Sequence, residues 1–223
     1  MAGDSVTLFA GPSAYGVPRA MLGERTQLLP PVQRGDIDRL LATAEEPGVI
    51  VVCDGVFQIA PAVSHAELCN AIDRGWAVWG VSSIGAIRAF EMRNEGMRGF
   101  GYVHSLFGSF DDFTDDEMCL LHAPEEPYFP VSEALVNLRY ALERTRSSSG
   151  ITPEAERTLI SALRALWFGD RTIEKMRGVM VDEARIDVQS ADRLLAWLQR
   201  YRVKTLDLIE LMTQRPWASP QAR

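Results

Sequence analysis

Short, unbroken apolar runs in the first third of the chain alternate with stretches of helical spacing. Val6 to Ala10 is apolar and closes on Gly11-Pro12-Ser13, a turn signal. Thr26 to Leu29 reads as a second short strand, stopped by Pro30-Pro31. Asp36 to Ala44 carries Ile37, Leu40 and Leu41 at helical spacing. Gly48 to Cys53 is apolar at every position after its glycine, as a strand buried on both faces requires, and it ends at Asp54-Gly55. Ser64 to Ile72 reads as a helix, with Ser64 as N-cap and Glu67 three residues on, the spacing of a capping box. Ala77 to Val81 is the next strand, running through Ser82-Ser83 into a helix over 84–92. This alternation predicts an α/β fold, a small and mainly parallel sheet flanked by helices with right-handed crossovers.

The pattern changes beyond Asn94. Glycines thicken (Gly96, Gly99, Gly101, Gly108), and an acidic run follows from Asp111 to Glu117, which reads as a solvated loop or a surface for a partner. Helices are predicted over 132–144, 153–167, 171–180 and, with a break, 184–212. Arg146 to Gly150 is the best linker, so the expected division is an α/β core over 1–146 and a mostly helical C-terminal segment over 147–223. The tail from Gln214 is polar and contains prolines.

Composition narrows the classes. Of the 223 residues, 47% are hydrophobic and 24% charged, an ordinary globular profile. A net charge of -7 argues against a general nucleic-acid binder. No run approaches the ~20 apolar residues of a membrane helix, and Met1 to Ser5 lacks a signal-peptide pattern. Cys53, Cys69 and Cys119 have no metal-like spacing and suggest a reducing compartment, so the cytoplasm is expected, with no metal and no cofactor. Arginine supplies nearly all the positive charge, since Lys175 and Lys204 are the two lysines.

Candidate chemistry centres on Gly80-Val-Ser-Ser-Ile-Gly-Ala-Ile-Arg88. A strand feeds a tight turn, and a helix begins at a serine. Such a turn projects from the carboxyl edge of a parallel sheet, where ligands bind. The helix start offers the N–H groups of Ile84 and Gly85 as an oxyanion pocket. The spacing departs from Gly-x-Ser-x-Gly, because Ser83 has Gly85 but Val81, and Ser82 has Gly80 but Ile84. Two readings stay open: a positioned nucleophile, or a plain N-cap. Asp54 should face the same edge, as an orienting carboxylate or a turn former. His65, Glu67 and Arg88 are further candidates with structural alternatives. His104 and His122 are isolated, and each reads as ordinary unless the chain is an unrelated ester hydrolase. Gly11-Pro12-Ser13 lacks the lysine of a phosphate loop.

Together these segments resemble the TfuA-like family. The carrying stretches are Gly11-Pro12-Ser13, Pro30-Pro31 with Arg34-Gly35-Asp36, Asp54-Gly55-Val56-Phe57, Pro61-Ala-Val-Ser-His65-Ala66-Glu67 and Gly80 to Ala89. Glu91, Gly96 to Gly101, Asp115 to His122 and Ser132 to Arg139 continue the match. The resemblance implies a partner of a YcaO enzyme in thioamidation of a peptide backbone. Such a partner binds a ThiS-like sulfur carrier, hydrolyses its C-terminal thiocarboxylate to release sulfide, and helps YcaO engage the peptide. It further implies a serine–lysine site. The serine maps onto Ser83, with His65, Glu67 and Asp54 as other catalytic candidates and Ser82, Gly85, Arg88, Ser13 and Arg34 as binding candidates. Ala66 stands where relatives have a basic residue, and both lysines lie outside the matching stretches. The second reading is a non-catalytic adaptor docking carrier and peptide onto YcaO. Neither reading involves nucleic acid or membrane.

Overall fold

A computed structural model describes residues 5–56, 60–109 and 113–218. Phe57 of the resembling stretches, and Asp111 and Asp112 of the acidic run, lie outside these residues. The chain forms two compact units, Met1–Asp112 with Lys204–Arg223, and Phe113–Val203. The grouping differs from a cut at Arg146, because the last segment packs with the first.

The first unit holds a five-stranded sheet of β1 (Val6–Phe9), β2 (Thr26–Leu29), β3 (Val49–Val52), β4 (Ala77–Val81) and β5 (Arg98–Phe100). Its order is 2-1-3-4-5 and every pairing is parallel. The α/β architecture and parallel sheet expected from the apolar runs are therefore present. β5 was not legible, because its three residues are half-buried and flanked by glycines. The helices are α1 (Arg19–Leu22), α2 (Asp36–Thr43), α3 (His65–Asp73), α4 (Ile84–Glu91) and α5 (Gly101–Leu106).

β3 is buried on both faces, as its sequence requires. On one face Val6, Leu8, Val49, Val51, Trp79 and Val81 pack with Leu208, Leu211, Met212 and Trp217 from the chain's last segment. On the other, α4 lies against β3 and β4 at backbone distance. A Cβ on Gly80 would sit 2.0 Å from the Gly85 carbonyl oxygen, and one on Gly85 would sit 1.7 Å from that of Val52. Two glycines thus set how closely strand and helix approach.

The second unit is helical: α6 (Leu135–Thr145), α7 (Pro153–Arg164), α8 (Ile173–Gly178) and α9 (Val188–Arg200). The predicted helix over 171–180 is shorter, because α8 passes into a π-helical turn at Val179–Glu183. The break expected within 184–212 falls at Tyr201-Arg202, after which α10 (Val203–Gln214) begins. Leu135, Leu138, Leu159, Leu163, Met180, Leu194 and Leu198 form the apolar centre.

The acidic run corrects the sequence reading. Asp115–Met118 is a 3-10 turn, and Glu117 is fully buried. Its two oxygens accept from Arg139 Nε at 2.6 Å and Nη2 at 2.8 Å. Asp116 pairs with the buried Arg171. It is Glu117 that an arginine invisible to local pattern draws inside, whereas Asp115 is exposed and Asp116 half-exposed as a solvated run requires. Among the described residues no helix is long and apolar enough to cross a membrane.

Candidate functional site

In a 2-1-3-4-5 parallel sheet the topological switch lies between β1 and β3, and the carboxyl ends of the strands there line the natural crevice. Asp54 follows β3 at this point and is 2% exposed. Its Oδ2 accepts the N–H groups of Gly11 at 2.9 Å and Ser13 at 2.8 Å, and its Oδ1 accepts the Ser13 hydroxyl at 2.7 Å. The 3-10 turn Pro12–Ala14 that follows β1 is therefore a cradle of donors closed around an internal carboxylate. Gly11-Pro12-Ser13 serves an anion after all, but one supplied by the chain itself.

The fourth partner comes from far along the sequence. Lys204, at the start of α10, is 2% exposed and places its Nζ 3.9 Å from Asp54 Oδ1. The Lys204 backbone carbonyl accepts the Ser82 hydroxyl at 2.6 Å. A buried lysine thus stands beside Asp54, 138 positions after Ala66.

The Ser82–Ser83 turn is tight and strained. Ser82 has φ +66°, a backbone region that costs a non-glycine residue about 1–3 kcal/mol. Ser83 N–H reaches back to the Val81 carbonyl at 2.7 Å, closing a three-residue γ-turn centred on Ser82. Ser83 occupies the N-cap position of α4 but makes no side-chain cap bond. Ser83 is thus the N-cap by position, with a hydroxyl that is not committed to the helix. Ser83 is 2% exposed, so it stands in a nearly dry setting.

The Cys53 thiol completes the cluster. Burial pushes its pKa well up, and the Asp54 charge adds to this. The Ser82 hydroxyl, the Lys204 charge and the Ser13 hydroxyl act in the other direction. Cys53 is a neutral thiol among these groups rather than a nucleophile.

The remaining candidates are placed elsewhere or play other parts. The Gly85 N–H donates to the Cys53 carbonyl at 3.3 Å, so it is not a free oxyanion donor, and Gly85 is needed for close packing instead. Glu67 is buried and forms the capping box with Ser64, and it also accepts the Gly35 N–H at 2.6 Å. His65 is exposed and lies 2.8 Å from Glu91, which Arg88 also meets at 2.5 Å. Arg88 Nε donates to the Val63 carbonyl at 3.0 Å. His65 and Arg88 thus share a surface cluster around Glu91, whereas Asp54 sits with Ser13, Ser82 and Lys204. Arg34 and Ala66 are exposed. His104, its pKa lowered by burial, packs on Gly99. His122 Nδ1 lies 2.7 Å from the Ala123 carbonyl oxygen.

A family model described as TfuA-like protein matches residues 54–172, just over half of the chain. The chain belongs to the TfuA-like family. No curated protein matches it. Within this TfuA-like chain the matched span begins at Asp54 and takes in the Ser82–Ser83 turn. Ser13 and Lys204 lie outside it. Sequence reasoning missed Lys204 because nothing local marks it. The available signal was its rarity, one of two lysines in a chain that otherwise uses arginine for positive charge.

Proposed function

We propose that this TfuA-like protein hydrolyses the C-terminal thiocarboxylate of a ThiS-like sulfur carrier and delivers the sulfide to a YcaO enzyme that thioamidates a peptide backbone. The observation that supports this reading most is the meeting of a strained Ser-Ser turn with the Lys204–Asp54 pair at the carboxyl edge of the sheet. Ser83 is the attacking hydroxyl in this scheme. Its oxygen bonds to the thiocarboxylate carbon as its proton passes to the Lys204 amine, which acts in this step in its neutral form, the pair with Asp54 having first released one proton to solvent. The tetrahedral oxyanion then collapses, the Lys204 ammonium returns that proton to the sulfur, the carbon–sulfur bond breaks, and sulfur leaves as HS⁻. Water next cleaves the serine ester, so the net change is thiocarboxylate plus water to carboxylate plus H₂S. Asp54 holds the amine in register, while Ser82 ties down the backbone that carries it. Strain at Ser82 keeps the turn preorganised rather than leaving it to form on binding.

The test is sulfide release from purified thiocarboxylated carrier, followed by the sulfur-for-oxygen mass change of the carrier. Wild-type protein should release sulfide, and Ser83→Ala and Lys204→Met should each lower the rate by about 10²-fold or more. A specific observation favours the adaptor as a second reading: Ser82, Ser83 and Lys204 are almost entirely enclosed. If wild-type protein leaves the carrier intact, yet YcaO supplied with free sulfide still requires it to modify the peptide, the adaptor reading holds.

A further inference from the structure

α10 meets the sheet edge at two points one helical turn apart. At the first, the Lys204 carbonyl takes the Ser82 hydroxyl, directly after β4. At the second, Asp207 accepts the amino end of α5, directly after β5. Its Oδ1 takes the Tyr102 N–H at 2.9 Å and its Oδ2 takes the Val103 N–H at 2.8 Å. Residues three apart on a helix lie on one side of it, so both clamps act on the same first turn. The backbone before α5 is shaped for this contact. Gly101 has φ +93°, and a Cβ there would lie 2.4 Å from the Asp207 carboxyl carbon.

β4 and β5 are hydrogen-bonded neighbours, with Val81 opposite Phe100. The two clamps therefore fix the start of α10 across the ends of adjacent strands, and the Lys204 side chain is thereby directed to Asp54 at the end of β3. Leu208, Leu211 and Met212 hold the body of α10 on the sheet, and the Asp207 bonds add a second polar anchor to its first turn beside the Ser82 one.

We infer that Asp207 is the positioning residue of Lys204, and through it of the Ser82–Ser83 turn, an inference that rests on the hydrolase reading for its catalytic consequence. Asp207 is 3% exposed and touches none of the reacting atoms in that scheme. Burial raises its carboxyl to about 7, with the Glu210 charge adding and the two amides opposing. Above neutral pH the carboxylate is ionised, and the two N–H bonds are then charge-assisted and at their strongest.

The experiment labels the intact protein with acetic anhydride at pH 8 and compares Lys204 with exposed Lys175, an internal reference. In wild-type protein Lys204 should label far more slowly than Lys175. Asp207→Ala removes both acceptors and should raise the Lys204:Lys175 ratio about tenfold, the scale of a lost charged hydrogen bond. Asp207→Asn keeps one acceptor and should raise it about threefold. In the hydrolysis assay Asp207→Ala should lower kcat about tenfold with KM within twofold, and Asp207→Asn should recover most of the loss. An unchanged labelling ratio in folded Asp207→Ala overturns the inference. If that variant does not fold, an unchanged ratio in Asp207→Asn overturns it instead. Labelling uses no substrate, so an absence of sulfide release by the wild-type protein counts against the hydrolase reading alone.

Discussion

Both units bury carboxylates, and they satisfy them in opposite ways. In the second unit Glu117 meets the fork of Arg139 through two short bonds, with Arg164 a further 4.0 Å away. Glu133 meets Arg202 at 2.7 Å and Asn137 at 2.7 Å. Planar guanidinium groups there match planar carboxylates, a geometry that fixes side chains and leaves little to react. In the first unit Asp54 takes three donors from Gly11 and Ser13, and its cation is a lysine at 3.9 Å, a point charge on a flexible stem. A strained turn with two serines adjoins it. Saturated arginine pairs organise the helical unit, whereas the pair in the first unit joins a lysine to a carboxylate beside a strained turn. What distinguishes the two buried charges is the type of cation and its company.

The contrast predicts that chemistry and architecture respond to different substitutions. Ser83→Ala should have the largest effect, lowering sulfide release by about 10²-fold or more with the melting temperature close to wild type. Comparable rates for the two proteins would remove Ser83 from the nucleophile's role. Glu117→Ala should do the reverse, destabilising the fold by about 1–3 kcal/mol because it removes both charged bonds to the partly buried Arg139 and leaves a gap where a buried carboxylate stood. Its sulfide release per folded molecule should stay within twofold, which denaturant titration combined with the hydrolysis assay can check.

Gly85→Ala should cost about 2–4 kcal/mol, since the added methyl meets the Val52 carbonyl oxygen and α4 must move off the sheet. A stability equal to wild type in the same titration would mean that the close approach at Gly80 and Gly85 is not needed.

A smaller effect concerns pH. The unfolded chain releases the Asp207 proton near pH 4, whereas the folded protein holds it to about pH 7. The folded state therefore binds more protons between these values. The contribution of this group to stability is fully present below about pH 4 and is lost as pH rises through about 7. Melting curves of wild type and Asp207→Asn should show the wild type losing ground to the variant across that window. A constant difference would contradict the raised value.

Ala66→Lys should change least. The position is exposed, and the cluster already holds Lys204. Sulfide release within about twofold of wild type is expected, and a large increase would return the missing basic group to position 66.

The sequence by itself determined the local features. Strands β2 and β4 stand at the residues read from the apolar runs, and the Ser64–Glu67 capping box forms as its spacing requires. The turn after β4, with its serines at the sheet edge, follows from an apolar strand meeting a helical pattern. All of these depend on contacts a few residues apart, which spacing and propensity encode. Only the tertiary structure decided the rest. It separated His65 and Arg88 from Asp54, closed Gly11–Ser13 around that carboxylate, and carried Lys204 to it across 150 positions of chain. It also internalised Glu117 by setting Arg139 beside it. The physical reason is common to these cases. The partner of a buried charge is chosen by which surfaces pack together, and that choice is made by apolar burial within each unit rather than by anything written next to the charge.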